Sequence, residues 1–294
     1  MLPADSSDCQ LQERIKVHNN VTYNGDRRRK REVTVLLYHG LSDVGKRRAK
    51  NQDSYTVKQY KCGAVLGVVC DGMGGALGGE TASATALKVY TETVDALMEG
   101  VTKTGKRPGE WKIAEVLLDA VCKANAAVYS KSEEDAGLKG MGTTLVSSLI
   151  LDNRIYTVNV GDSRMYLVDS DKIVQVTHDH SYVQYLVDIG KMTSEEAASS
   201  NNKNIITRAV GTEEEIEPDI YLTEIKKGAA GKIHILLCTD GLTNHVSKEK
   251  ICEIVNSRSG QSENDAEEAT VRSLIDTANK NGGSDNITAV LISV

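Results

Sequence analysis

The order of apolar and polar residues divides the first half of the chain into strand-like and helix-like segments. From residue 33 onward the pattern is strand-like, and residues 64–70 form a continuous apolar run of the kind found in a strand buried on both faces. Residues 81–98 and 110–129 then place apolar side chains at helical spacing. The pattern therefore predicts strands followed by two amphipathic helices.

Short strands return after residue 142. Four apolar segments with turns between them predict an antiparallel meander, at residues 143–151, 155–160, 165–168 and 172–176. Residues 178–211 have a helical but polar pattern, which is typical of an inserted functional loop. Beyond them we expect strands at 220–225, 233–239 and 286–294, and helices at 246–255 and 265–280. This order lacks regular strand–helix alternation and indicates an α+β fold, which two sheets with helices outside would fit.

The first 32 residues differ from the rest of the chain, because they are polar and lack apolar periodicity. They end in a basic run at residues 26–31. We interpret residues 1–32 as a flexible, solvated tail that precedes the folded part at 33–294. A contact site for an acidic partner at residues 26–31 is the alternative interpretation.

Composition is that of an ordinary soluble globular protein, with 40% apolar and 26% charged residues. The net charge of −6 argues against a general nucleic-acid binder, whose affinity depends on neutralising phosphates. The six cysteines form no C-x-x-C pair, so we expect reduced thiols in the core. The sequence contains no signal-peptide pattern and no apolar stretch of membrane length, so we expect a cytoplasmic protein without a membrane span.

Four aspartates stand next to strongly apolar runs. Asp71 and Asp240 each end such a run and precede a glycine that frees the backbone. Asp162 follows another run after one glycine, and Asp285 stands just before the final strand. An Asp-Gly pair after a strand is a common turn signal, so each pair taken alone is interpreted as structural.

Together these aspartates predict a metal site. Neighbouring strands of a sheet would bring several carboxylates to one edge, where burial and like charge both disfavour ionisation. A divalent cation with oxygen ligands resolves that cost, and the lack of a His or Cys cluster favours Mg²⁺ or Mn²⁺ over Zn²⁺. A carboxylate that bridges two ions would make a hydrolytic site.

Eight segments, in chain order, read RAKNQDS (48–54), VVCDGMGG (68–75), GMGTT (140–144), VNVGDSR (158–164), THDHS (177–181), ITRAVG (206–211), LLCTDGL (236–242) and GGSDNITAVLI (282–292). Together they resemble the metal-dependent protein phosphatases of type 2C, and in particular the bacterial branch of that family. The resemblance extends from about residue 33 to residue 294. It implies a β-sandwich of two antiparallel sheets flanked by helices, with the metal ions at one edge.

The resemblance also implies roles for individual residues. Asp71 would bridge two metal ions, the Gly72 carbonyl would bind one of them, and Asp240 and Asp285 would bind the other. Asp162 would join Asp240 at a third, weaker metal.

Asp53 resembles the acid that hydrogen-bonds metal-bound water, and residues 178–211 resemble the flap beside the site. Arg48 stands where the family grips the substrate phosphate, a task that suits the planar guanidinium. The spacing to Asp53 favours Arg48 over Arg47, although a solvated surface charge is the alternative for either.

Two positions depart from the family pattern. Met73 stands where animal members have a histidine proposed as general acid, and Gln52 stands where many members have glutamate. Both departures are common in the bacterial branch. In the flap, His178 and His180 are interpreted as structural, with a proton-donor role as the alternative.

The function implied by the resemblance is hydrolysis of phosphoserine and phosphothreonine in proteins by a water that two metal ions activate. The cofactor would be Mn²⁺ or Mg²⁺, and the natural counterpart would be a serine/threonine kinase. Two alternatives stay open. One is a catalytically weak module of the same fold that binds phosphoproteins, and the other is a hydrolase of small phosphoesters.

Overall fold

Two β-sheets face each other in the computed structural model, which describes residues 15–17, 36–170, 172–225, 232–257 and 265–294. The strands are β1 (Ile15–Val17), β2 (Leu37–Asp43), β3 (Asp53–Gln59), β4 (Val65–Met73), β5 (Gly142–Thr143), β6 (Leu145–Leu151), β7 (Arg154–Val160), β8 (Arg164–Val168), β9 (Ile173–Gln175), β10 (Asp219–Glu224), β11 (His234–Cys238) and β12 (Ile287–Ser293). The first sheet has the order β1-β10-β7-β6-β4-β3, with β5 paired to β4, and the second has the order β2-β12-β11-β8-β9. All pairings are antiparallel except that of β1 with β10.

Helices cover the outer faces of both sheets. They are α1 (Gly75–Thr104), α2 (Glu110–Glu134), α3 (Tyr182–Asp188), α4 (Ser194–Ser199), α5 (Asp240–Thr243), α6 (Lys248–Asn256) and α7 (Ala266–Lys280), with a 3₁₀ turn at Ala136–Leu138. Buried side chains of α1 and α2 pack on the first sheet, and those of α6 and α7 pack on the second. The predicted α+β sandwich flanked by helices is therefore confirmed.

Strand β4 shows why the apolar run at 64–70 has no polar alternation. Leu66 and Val68 belong to the core between the first sheet and the helices α1 and α2. Val65 and Val69 point the other way and belong to the core between the two sheets. Because side chains of a strand alternate between faces, a strand in the middle layer of this stack must be apolar on both.

The predicted meander is wrong at one point. Strands β6 and β7 pair in the first sheet and β8 and β9 pair in the second, but β7 and β8 do not pair with each other. The chain changes sheets at residues 161–163, where Gly161 has a φ of +100° that favours glycine. Alternating patterns show which residues face a core and do not show to which sheet a strand belongs.

Other predictions concern the ends of the chain and the cysteines. Of the predicted tail, only residues 15–17 are described, as β1, and the basic run at 26–31 lies outside the described residues. Cys70 and Cys238 are fully buried, as expected for core thiols, whereas Cys122 is exposed on α2. Among the helices described, none combines the length and apolar character needed to cross a membrane.

Candidate active site

The predicted site residues converge on a cavity of about 510 Å³ at the strand ends. Its wall includes Arg48, Asp71, Gly72, Asp162, Asp240 and Asp285. Asp53 lies on β3, directly opposite Asp71 in the register of β3 and β4. The structure therefore brings the predicted residues together, with Asp53 next to the cavity wall and the others on it.

The carboxyl groups reach the cavity from both sheets. Asp71 lies near the end of β4 in the first sheet, whereas Asp240 follows β11 and Asp285 precedes β12 in the second. Asp162 lies in the segment that crosses between the sheets. The expectation of neighbouring strands in one sheet holds for β11 and β12 only, and the edges of two facing sheets form the site.

The glycines after Asp71 and Asp240 were predicted to free the backbone, but the structure requires them for another reason. Neither Gly72 nor Gly241 has a positive φ. A Cβ on Gly72 would lie 2.0 Å from the Gly79 carbonyl oxygen, and one on Gly241 would lie 1.9 Å from the Asn286 carbonyl oxygen. Both positions require glycine because another backbone segment passes too close for any side chain.

Two threonines hold the backbone of Asp71. Its N–H donates to Thr144 Oγ1 at 2.9 Å, and its carbonyl accepts from Thr143 Oγ1 at 2.8 Å and from the Thr144 N–H at 2.9 Å. Thr144 Oγ1 also pairs with Ser163 Oγ at 2.7 Å. This network ties Asp71 to the segment that carries Asp162, and no sequence pattern indicated it, because threonine is common in any strand.

Asp53 is buried beneath this wall. Its Oδ2 accepts from Thr288 Oγ1 at 2.6 Å and from Thr239 Oγ1 at 3.1 Å. Its Oδ1 is buried without a hydrogen-bond partner. Burial raises the pKa of Asp53 to about 7, although both threonine hydrogen bonds act in the opposite direction.

Asp71, Asp162 and Asp240 are also costly to ionise. Burial raises the pKa of Asp162 to about 8 and that of Asp240 to about 6, and it raises the pKa of Asp71 well above the ordinary range. Neighbouring carboxylates add to each of these shifts. Asp240 Oδ2 accepts from Asn244 Nδ2 at 2.9 Å, whereas its buried Oδ1 has no partner. The site concentrates negative charge that the nearby cationic side chains neutralise only in part.

These donors fit a hard divalent cation. No three His, Cys, Asp or Glu side chains form a ready-made ligand group within the described part of the chain. An ion here would therefore take a mixture of carboxylate, backbone carbonyl and water oxygens, as Mg²⁺ characteristically does and as Mn²⁺ also accepts. The unpartnered buried oxygen of Asp240 and the raised pKa values are what such an ion would relieve.

Arg48 and Lys50 are cationic residues on the cavity wall, and Arg48 contacts a carboxylate of the site. Its Nη2 donates to Asp285 Oδ2 at 2.8 Å, and its side chain is 53% exposed. Arg47 does not line the cavity. Since a guanidinium has five N–H donors, most of those on Arg48 remain available to an anion in the cavity.

The flap forms another part of the wall through Asn204 and Ile206. His180 is buried, and its Nδ1 accepts from the Gly161 N–H at 3.1 Å. His178 Nε2 lies 2.8 Å from Asp188 Oδ2 of α3. Neither histidine lines the cavity, which favours the structural interpretation of both.

Both departures from the family pattern lie on the wall. Met73 lines the cavity and has no titratable group. Gln52 donates from Nε2 to the Gly75 carbonyl at 2.7 Å, so its amide holds the start of α1 instead of adding a negative charge.

Comparisons with known proteins agree with this geometry. The chain is 38% identical over 265 residues to the serine/threonine protein phosphatase PstP of Mycobacterium tuberculosis, with 90% of this chain and 46% of PstP covered. It is 34% identical over 254 residues to the protein phosphatase PhpP of Streptococcus pneumoniae, with 86% of this chain and 96% of PhpP covered. The chain thus spans about half the length of PstP and nearly all of PhpP.

A solved structure shows the same fold. The catalytic domain of PstP in complex with two manganese ions matches with a TM-score of 0.71 and 34% identity, over 88% of this chain and 98% of that one. The family model for protein phosphatase 2C matches residues 45–289. On the sequence, the fold and the arrangement of the cavity, this chain belongs to the protein phosphatase 2C family.

Proposed function

We propose that this protein is a metal-dependent serine/threonine phosphatase that hydrolyses phosphoserine and phosphothreonine in proteins. The observation that carries the proposal is the cavity, where several carboxyl groups share one wall with a half-exposed guanidinium that pairs with only one of them. The carboxyl groups suit cations, and the guanidinium suits a phosphoryl group. The family membership makes a phosphoprotein the natural substrate.

The metal ligands would be Asp71, the Gly72 carbonyl, Asp240 and Asp285, with Asp162 and Asp240 at a third ion. When bound, the ions supply a water of lowered pKa and neutralise charge on the phosphoryl oxygens. The oxygen donor set accepts both Mn²⁺ and Mg²⁺. We favour Mn²⁺ in the two principal sites, because the PstP catalytic domain was solved with two manganese ions.

Arg48 would hold the phosphoryl group. One of its N–H groups is engaged by Asp285, which sets the direction of the guanidinium. The remaining donors would bind phosphoryl oxygens through charge-assisted hydrogen bonds.

Asp53 would order water through its free Oδ1. That oxygen is buried and unpartnered, so it can accept a further hydrogen bond. The two threonine hydrogen bonds on Oδ2 hold the carboxyl group in place. Met73 cannot carry a proton, and the flap histidines do not line the cavity, so water would protonate the leaving oxygen.

A serine/threonine kinase would supply the substrates, since only a protein phosphorylated on these residues meets the proposed specificity. The test is dephosphorylation of a phosphothreonine peptide with Mn²⁺, with EDTA and in the Asp240→Asn variant. We expect turnover that requires the metal and that falls by about 10³-fold in the variant.

A second arm adds a small phosphoester as a competitor, because a dedicated small-molecule hydrolase would prefer it to the peptide. Calorimetry of Mn²⁺ binding accompanies both arms. A folded protein that binds Mn²⁺ and the phosphopeptide without turning it over would refute the enzyme proposal and leave a phosphoprotein-binding module.

A further inference from the structure

Asn286 lines the cavity and is not one of the predicted site residues. It follows Asp285, precedes β12 and is buried at 4% exposure. Its Nδ2 donates to the carbonyls of Val44 at 3.0 Å and Lys50 at 2.9 Å. Its Oδ1 accepts from the Gln52 N–H at 2.8 Å. One side-chain amide thus makes three hydrogen bonds, all to the backbone of residues 44–52.

The segment that Asn286 holds is the one that carries Arg48. Residues 44–52 join β2 to β3 and contain neither helix nor strand. Residues 46–50 are all exposed. Since few buried apolar contacts can order such a segment, its conformation depends on specific hydrogen bonds.

Other bonds hold this segment mainly at its two ends. The Gln52 carbonyl accepts from the Gly72 N–H at 3.2 Å and from Ser83 Oγ at 2.6 Å. The Lys46 N–H donates to the Gly283 carbonyl at 2.7 Å, and Asn51 Nδ2 donates to Ser42 Oγ at 2.7 Å. Asn286 contacts the segment on both sides of Arg48, at Val44 and at Lys50. The Asn286 side chain therefore links the two sides of the segment that carries Arg48.

The backbone of Asn286 contacts the carboxylate side of the site. Its N–H donates to Asp285 Oδ1 at 2.8 Å, while the other oxygen of that carboxylate accepts from Arg48. Its carbonyl packs so closely on Gly241 that no Cβ fits there, which fixes the turn after Asp240. Asn286 therefore sets the distance between the arginine and two of the carboxylates.

We propose that Asn286 is a positioning residue that holds Arg48 in register with the carboxylates and so determines affinity for the phosphoryl group. The inference rests on the proposed role of Arg48 in phosphate binding. Asn286 touches the backbone around Arg48 and has no part in the chemistry itself. Its loss should therefore raise KM and leave kcat nearly unchanged.

The variant to measure is Asn286→Ala. The control for KM is Asn256→Ala, because Asn256 donates to the Asp169 and Cys252 carbonyls away from the cavity. The matched control for the order of the loop is Asn125→Ala. Asn125 is equally buried and also makes three hydrogen bonds to one loop, at residues 211–214. With saturating Mn²⁺ we expect Asn286→Ala to raise the KM for a phosphothreonine peptide about 10-fold, the effect of losing an oriented charge-assisted contact. In an Arg48→Ala background the same substitution should have no further effect on KM, because both changes remove one interaction.

Brief digestion with trypsin measures whether the segment at residues 44–52 is ordered, and it does so independently of activity. Lys46, Arg47, Arg48 and Lys50 are exposed tryptic sites in the held segment. We expect rapid cleavage at residues 46–50 in Asn286→Ala, under conditions where the wild type and Asn125→Ala stay intact there. Asn286→Asp is a second variant for the same digest. Its side chain has the same volume as that of asparagine but lacks both N–H donors of the amide.

The outcomes separate the two proposals. An Arg48→Ala variant with unchanged KM would refute the phosphate role of Arg48, while the tryptic digest would still report whether Asn286 orders the loop. A normal KM in Asn286→Ala, or a loss confined to kcat, would overturn the inference. So would unfolding of both Asn286 variants under the assay conditions, because the residue would then support the whole domain.

Discussion

The cavity has two walls of different construction. On one wall, Asp71, Asp240 and Asp285 stand at the ends of strands that are paired on both sides. On the other wall, Asn204 and Ile206 belong to a flap whose helices α3 and α4 have only 7 and 6 residues. Helices that short have little stability of their own in water, so the flap depends on its attachments.

The flap is attached to the rest of the protein through its two ends, for example by the ion pair of Asp179 with Arg164. Ser181 and Ile206 form an isolated β-bridge across its base, and Val210 forms another with Thr143. The Gly211 N–H donates to Asn125 Oδ1 of α2 at 2.7 Å. The carboxylate wall is therefore held by sheets, and the flap is held by contacts at its two ends. Reaction chemistry needs fixed geometry, whereas recognition of varied substrates does not, so we assign chemistry to the first wall and recognition to the second.

The largest effect that this comparison predicts belongs to Asp71. In Asp71→Asn we expect kcat for a phosphothreonine peptide to fall by about 10³-fold or more, because the variant lacks a central carboxylate charge of the cation site. Calorimetry should show weaker Mn²⁺ binding at the same time. Asp119→Asn, on the exposed face of α2, is the control and should retain full activity. If Asp71→Asn stays active, the rigid wall does not carry the chemistry.

Much of the rigid wall was readable from the sequence, because a strand buried on both faces leaves a continuous apolar run and the aspartate at its end stands out. The threonines and Asn286 were not readable in the same way. Thr144 acts on Asp71 across 73 positions, and Asn286 acts on Lys50 across 236. Hydrogen bonds between such distant positions depend on which strands pair, and the spacing of residues does not determine that pairing.

The start of α1 also depends on tertiary contacts that the sequence pattern does not show. The helix begins at Gly75, ahead of the predicted start at residue 81, and its first turns contain the poor helix formers Gly78 and Gly79. A Cβ on Gly79 would lie 2.7 Å from the Gly72 carbonyl oxygen. Close packing of the helix start on the Asp71 turn requires these glycines, and that tertiary demand overrides helix propensity.

A second, smaller effect concerns the stability of the rigid wall without metal. An aspartate in the unfolded chain has a pKa near ~4, whereas burial raises the pKa to about 6 for Asp240, about 7 for Asp53 and about 8 for Asp162. The folded state therefore binds more protons over this window. The free energy of unfolding of the metal-free protein must then fall as pH rises from about 4 to about 8.

The measurement is the Tm of EDTA-treated protein at a series of pH values. We expect Tm to decline from about pH 5 to about pH 8, and Mn²⁺ to raise Tm more at the upper end, where the carboxyl groups are ionised. The Asp162→Asn variant should show a shallower decline, since it removes the group with the pKa of about 8. A metal-free Tm that rises across the same range would contradict this electrostatic description of the wall.

The smallest effect is expected on the flap. Ile205 is 50% exposed and stands between Asn204 and Ile206, which both line the cavity. An apolar side chain there would contact residues that flank the phosphorylated one and would not reach the phosphoryl group.

Ile205→Ser should therefore raise the KM for a phosphopeptide by about 3-fold, the effect of losing part of one apolar contact. The KM for a small phosphoester should not change, because that substrate has no flanking residues. Ile189→Ser is the control, since Ile189 is similarly exposed at 42% but lies at the far end of α3. An equal increase in KM for both substrates would mean that the flap shapes the reaction centre itself. That result would contradict the assignment of chemistry to the first wall and recognition to the second.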